Sequence, residues 1–239
     1  MTKTNNNGRL GNQIIRNLAV SIIAEKNNLF VDYYNYDLID KLGIKLFIGT
    51  NNYDNTIDLT DNNYFNILEL SELKSNLNAN NHYLQTKEIT NMLYQHLHKD
   101  DIKNNIISKN PYNNRYNNNN DLFIHIRLTD AAHFNPGIEY YLKAISNIKF
   151  DKLYLATDDF NHFIIKEIIN KYPNIILFDK DEITTFQHAS TCDNIILSHG
   201  SFSAIIGYLS FYSTIYFPEY DYSKLWYGDM FSIPGWIII

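Results

Sequence analysis

Apolar positions along the chain first fall into a helical rhythm. In residues 12–27 (NQIIRNLAVSIIAEKN) they occur at 14, 15, 18, 22 and 23, the spacing of one helix face. Asn12 is placed to cap this helix and Asn27-Asn28 to end it. LFVDYY, 29–34, then reads as a strand, and residues 65–107 read as several short, polar, helical segments. SKNPYNNRYNNNND, 108–121, has no periodicity. Its proline and asparagines mark a boundary between two domains, 1–115 and 116–239. Beyond it, short apolar strands at 122–128, 152–157, 174–178, 194–198 and 214–218 alternate with helical stretches at 137–148, 160–173, 184–192 and 201–212. That alternation predicts an α/β fold around a buried parallel sheet.

Composition narrows the class. With 239 residues, 45% of them hydrophobic, 14 Phe and 19 Tyr, the chain is rich enough in apolar side chains to build packed cores. A net charge of −6 without a basic cluster argues against a nucleic-acid partner. The single cysteine, Cys192, cannot form an intramolecular disulfide and suits a reducing compartment. No stretch reaches the roughly 20 apolar residues of a membrane span, and the first residues carry no apolar run, so a cytoplasmic location is expected.

Ligands of open α/β sheets lie beyond the carboxyl ends of the strands. Three polar clusters fall there: HIRLTD (125–130), ATDD (156–159) and SHGS (198–201). Arg127 offers a rigid fork of donors suited to a diphosphate, and His125 projects from the same strand face. Together they could neutralise a leaving nucleoside diphosphate without a metal. The plain alternative pairs Arg127 with Asp130 and puts His125 in the core. Asp158 and Asp159 could hold a divalent cation, or Asp159 could simply open the next helix. Ser198, Gly200 and Ser201 precede a helix and could cradle phosphate or merely cap it. Near the N-terminus, Gly8, Arg9, Gly11 and Asn12 form a turn into a helix, open to a ligand or ordinary.

These residues resemble a known family. GRLGNQ (8–13) is similar to the G-x-G-N-Q motif of the α-1,2-fucosyltransferases, a glycosyltransferase family 11-like group. HIRLTD resembles the H-x-R-R-x-D motif of the α-1,2-, α-1,6- and protein O-fucosyltransferase superfamily. IEYYLKAI (138–145), KLYLATDD (152–159) and SHGSFSAIIGYLS (198–210) resemble later motifs, in the family's order. The resemblance implies a GT-B-like fold with two Rossmann-like halves. An acceptor-side half would come first, and a nucleotide-sugar-binding half second. It implies inverting transfer of L-fucose from GDP-fucose to a glycan hydroxyl, α-1,2 to galactose or a related sugar, with no metal and no cofactor beyond the donor. Arg127 would then touch the diphosphate, with His125 and Asp158 near the nucleotide, and Ser201 and Phe202 in the phosphate turn.

Departures from the pattern are Leu128 in place of the second arginine, Ala204 and Ile205 in place of tryptophans, and Thr185 where an aspartate reads guanine. Asp181 or Glu182 could substitute for that aspartate. A rhamnose-type nucleotide-deoxysugar donor, or a catalytically inactive glycan-binding relative, are the competing expectations. Inversion also needs a base for the acceptor hydroxyl. Asp130 is the family-matched carboxylate, and His133 lies on the same loop with an imidazole suited to proton transfer near neutral pH. Asp130 could instead only orient Arg127.

Overall fold

Eighteen residues, Leu10–Asn27, form helix α1 in the computed structural model, which describes residues 1–220 and 228–239. The helix starts two residues before the expected cap. Arg9 occupies the cap position without a side-chain cap bond, and Asn12 sits inside the first turn. The Asn12 Oδ1 accepts instead from Gln85 Nε2 at 2.8 Å. Asn28 ends the helix as expected, in the left-handed conformation (φ 50°), its N–H returning to Ala24 O.

Two compact units divide the chain: Met1–Ile106 with Tyr222–Ser232, and Ile107–Asp221 with Ile233–Ile239. The division falls inside helix α5 (Asp100–Lys109), nine residues before the 115/116 boundary drawn from the asparagine-rich stretch. The backbone bonds of a helix run on where its side chains change partners, so no sequence signal marks the change.

The first unit carries four short strands, β1 (Thr2–Lys3), β2 (Val31–Asp32), β3 (Thr56–Asp58) and β4 (Asn76–Asn78). They form one parallel sheet in the order β2-β1-β4-β3. Helices α1, α2 (Tyr36–Lys41), α3 (Tyr64–Glu69) and α4 (Lys87–Leu97) belong to it. TID and NLN, the segments of β3 and β4, are too short and too polar for an alternation to be read. Asn76 replaces apolar burial by hydrogen bonds: its side chain donates to Tyr53 O and accepts from Tyr53 N at 3.2 Å.

The second unit holds β5 (Leu122–Ile126), β6 (Leu153–Thr157), β7 (Ile176–Leu177), β8 (Asn194–Ile196), β9 (Thr214–Phe217) and β10 (Ile237–Ile238). Its helices are α6 (Ile138–Ser146), α7 (Phe163–Lys171), α8 (Glu182–Ala189) and α9 (Ser201–Tyr208). All six strands are parallel, in the order β10-β9-β8-β5-β6-β7. Read from β7, the chain order is 3-2-1-4-5-6, the doubly wound arrangement of Rossmann-type sheets. One face buries Leu122, Ile124 and Ile126 of β5 with Leu153 and Leu155 of β6 beneath Tyr141, Ile145, Ile165 and Ile168 of α6 and α7. Each such side chain contributes about 1.5–3 kcal/mol of burial. The other face sets Phe123 against Phe178 and His125 against Phe202. Cys192 is fully buried, and burial pushes its thiol up to about 12.

GWIII at the C-terminus supplies β10 and seats Trp236 on α9. A Cβ on Gly207 would stand 2.6 Å from Trp236 Cζ2 and 3.1 Å from Leu197 Cδ1. Gly207→Val should therefore cost roughly 1–3 kcal/mol by overpacking, despite valine's better helix propensity. A lower urea midpoint with an unchanged m-value is the expected reading.

Candidate functional site

In a doubly wound sheet the chain leaves the first strand to one side and returns on the other, opening a crevice between them. Here that point lies between β5 and β8, which pair directly (Ile124↔Ile196). On its far side β5 pairs with β6, with His125 opposite Ala156 and Ile126 opposite Thr157. Parallel register therefore brings HIRLTD, ATDD and SHGS to one edge of the sheet, as the strand ends predict.

Arg127 leaves the end of β5 and lies over the turn after β8. A Cβ built on Gly200 would meet Arg127 Cδ at 3.5 Å. Gly200 has φ +86° and takes the N-cap position of α9, where a side chain would be strained. Ser201, Phe202 and Ser203 begin the helix, with N–H groups that have no acceptor one turn back. A guanidinium over a helix N-terminus makes an anion seat. It is flanked, however, by negative charge. Asp130 Oδ1 accepts from Arg127 Nη2 at 2.5 Å, and Asp158 lies on the next strand end. The Arg127 side chain is 14% exposed and that of Asp130 58%.

Asp158 is committed to the backbone of this loop. Its Oδ1 accepts from Leu128 N at 2.7 Å, and its Oδ2 from Thr129 Oγ1. Partial burial works against its ionisation. It is outweighed by the Thr129 and Leu128 hydrogen bonds and by nearby Arg127, which together hold the carboxyl below its usual range. Asp159 does not open a helix: α7 begins at Phe163, capped by His162, and Asp159 Oδ1 accepts from Asn161 N in a turn. Among the described residues, no three His, Cys, Asp or Glu side chains cluster as metal ligands.

With Arg127 on Asp130, His125 also follows the plain alternative and lies in the core. Its ring is buried, tilted against Phe202 at 4.8 Å between centroids, with Nδ1 2.6 Å from Ser203 Oγ. Burial pulls its pKa down to about 3, more than nearby Asp158 can offset, so it is neutral and adds no positive charge for a diphosphate. Ser198 is likewise a buried connector. Its Oγ accepts from Tyr141 Oη at 2.9 Å and from Arg127 N at 3.4 Å, leaving its own proton for His199 Nδ1 at 3.2 Å. That arrangement puts the His199 proton on Nε2. Burial lowers His199 to about 4, helped by Arg127. The Ala131 backbone pulls the other way, but nothing meets Nε2 at full hydrogen-bonding geometry.

No protein-family profile matches the chain, and no curated protein is significantly similar to it.

Three residues of this network had no role assigned from the sequence: Asn135, and Tyr141 and Ser203, which lie within the family-like segments 138–145 and 198–210. Asn135 Nδ2 donates to Arg127 O and to Tyr141 Oη, both at 3.0 Å. Its Oδ1 accepts from Gly137 N, and Tyr141 passes the chain of bonds to Ser198. The loop bearing Arg127 and the 198–201 turn are thus fixed to one buried scaffold. The N-P-G turn at 135–137 was the available clue.

Leu128, in the place of the second family arginine, points into the core beside Tyr141. His133 is exposed in a 3-10 turn (Ala132–Phe134) with its ring 3.9 Å from Phe134. Thr185 is buried in α8, and Asp181 is taken up capping that helix through Thr184 N at 2.9 Å.

Gly8, Arg9, Gly11 and Asn12 belong to the first unit. Gly8 (φ +78°) is crossed by the Asn12 side chain itself, whose Cβ would lie 2.7 Å from an added Cβ. Internal packing therefore accounts for that glycine. Gly11 is buried within α1, and Arg9 is exposed.

Proposed function

We propose that the second unit binds a nucleoside diphosphate at its β5/β8 crevice and that the chain is an inverting glycosyltransferase using a nucleotide-deoxysugar donor. On this reading the donor is GDP-fucose, the acceptor a glycan hydroxyl, and the chain GT-B-like with the second unit as its donor half. The observation that carries the proposal is the placement of Arg127 over the N-terminus of α9 at the switch point of a doubly wound sheet. Backbone N–H groups and a guanidinium can stabilise the charge that builds on a departing diphosphate. Support for the sugar and the base comes only from the five motifs.

One observation favours a second reading, an inactive glycan-binding relative: two carboxylates, Asp130 and Asp158, crowd the single arginine. Calorimetry separates the two. Binding of GDP in preference to UDP and dTDP supports the fucosyl donor. Preference for UDP or dTDP moves the assignment to another deoxysugar. No binding of any of the three overturns the transferase reading.

Asp130 has two possible parts here, counter-ion and base. A half-exposed ion pair is worth about 0–1 kcal/mol, and the carboxylate competes with an incoming diphosphate for the same guanidinium. Asp130→Asn should therefore hold GDP as tightly as wild type or up to about fivefold tighter, while transfer falls if the carboxylate is the base. Weakened GDP binding would instead show that Asp130 serves to orient Arg127. Full turnover in Asp130→Asn with loss in His133→Ala would assign the base to His133.

A further inference from the structure

The first unit has a switch point of its own. The chain leaves β1 toward β2, crosses to β3 on the other side and then fills β4 beside β1, so the loops after β1 and β4 flank a crevice. A pocket of about 220 Å³ opens there, lined by Asn7, Arg16, Asn80, Asn81, His82 and Tyr83.

Arg16 is the unusual member. It rises from α1 and is 1% exposed. A guanidinium has five N–H donors. Nε donates to His82 O at 3.1 Å, and Nη1 to Asn5 O at 3.3 Å and Asn5 Oδ1 at 3.0 Å. Nη2 gives one N–H to Asn7 O at 3.1 Å, so four donors are used and one on Nη2 remains. Every partner is neutral, and the Tyr83 ring stands 5.7 Å away. A buried cation is ordinarily matched by an anion, and among the described residues no carboxylate pairs with this one. Asp61 pairs with His82 Nδ1 at 3.1 Å. A second unmet group lines the same pocket: Asn80 Oδ1 is buried without a donor.

The chemistry missing from the pocket is thus one negative charge and one hydroxyl or amide proton. We infer that the first unit binds a monoanionic group on a polyol, the carboxylate of a sugar acid or the sulfate ester of a sugar, with the anion against Arg16 and a neighbouring hydroxyl on Asn80. One positive charge matches a monoanion better than a phosphate dianion. The pocket holds a few atoms, so it would grip one acidic substituent of a larger molecule. That this molecule is the glycan acceptor rests on the transferase reading; the binding itself does not.

The test is titration of the full chain at low ionic strength with glucuronate, glucose 6-sulfate and glucose, in the Arg127→Ala background so that the second unit's arginine cannot account for the result. Saturable binding of an acid, at least tenfold tighter than glucose, is expected. Glucuronate alone would identify a carboxylate source, glucose 6-sulfate alone a sulfate ester. Arg16→Met should weaken it at least tenfold. Because Arg16 also ties two loops together, Asn80→Asp is the second variant. It keeps the arginine and supplies the missing charge from the chain, so it should abolish acid binding while raising the melting temperature. Neither acid binding better than glucose, or Asn80→Asp binding as wild type does, would overturn the inference. GDP binding measured on Asn80→Asp with Arg127 intact reports separately on the second unit, so each reading can fail alone.

Discussion

Alanine at position 127 should weaken nucleoside-diphosphate binding roughly 10- to 150-fold, about 1.5–3 kcal/mol, the usual cost of a charge-assisted hydrogen bond. Arg127 is the one described cation over the N-terminus of α9, since buried His125 is neutral. On the proposed transferase reading, the effect on transfer should be larger than the effect on binding, because a leaving diphosphate gains charge as the glycosidic bond breaks. Arg127→Lys should recover only part of the loss, keeping the charge without the planar fork. Calorimetry with GDP, alongside single-turnover rates, measures both. An alanine variant with wild-type affinity would remove Arg127 from the donor site.

Acid should destabilise the second unit steeply. His125, His188 and His199 are buried there and lowered to about 3, 4 and 4, in each case chiefly by burial. In the unfolded chain the same rings titrate near 6.5. The unfolded state therefore binds more protons between about pH 6.5 and 4, and the linkage sign makes stability rise with pH across that window. The native state has its full stability above pH 6.5 and loses it as pH falls toward 4. Three sites imply a limiting slope of about 4 kcal/mol per pH unit, and several kcal/mol between pH 7.5 and 5. That is comparable to the whole stability of many domains. Urea midpoints from pH 5 to 8 check it. His188 provides the control. It stacks on Phe178 at 4.5 Å and its Nδ1 has no partner, so His188→Phe keeps the packing and should remove about a third of the slope. A flat stability profile between pH 7.5 and 5 would show that these rings are not buried neutral.

The second unit was largely legible in the sequence because each of its strands is short, apolar and set off by a helix. Element ends moved by up to a few residues: 122–128 became Leu122–Ile126, and 160–173 became Phe163–Lys171. Arg127, Asp158 and Gly200 were placed at one edge of the sheet from strand ends alone, and parallel register brings them together. What strand ends cannot reveal is which way a side chain is used. His125 and Ser198 carry the right chemistry but turn inward, where burial neutralises one and hydrogen bonds saturate the other. Tyr141 and Ser203 fall in the family-like segments, but a motif does not say what a hydroxyl bonds, and theirs join the two loops of the site. In the first unit, two-residue and three-residue strands leave no period to read, and their pairing depends on residues far away in the chain. One arginine on the apolar side of a helical pattern, Arg16, has no sequence mark of its burial.

Cys192 gives the second unit an internal clock. Its thiol is shut in at the end of α8, with Arg115 Nη2 3.5 Å from the sulfur, and its raised pKa leaves almost no thiolate at neutral pH. A thiol reagent can label it only when the surrounding structure opens. Since the chain has no other cysteine, the labelling rate of the unmodified protein reads out how often this unit breathes, and nucleotide bound at the far edge of the same sheet would slow it in proportion to occupancy.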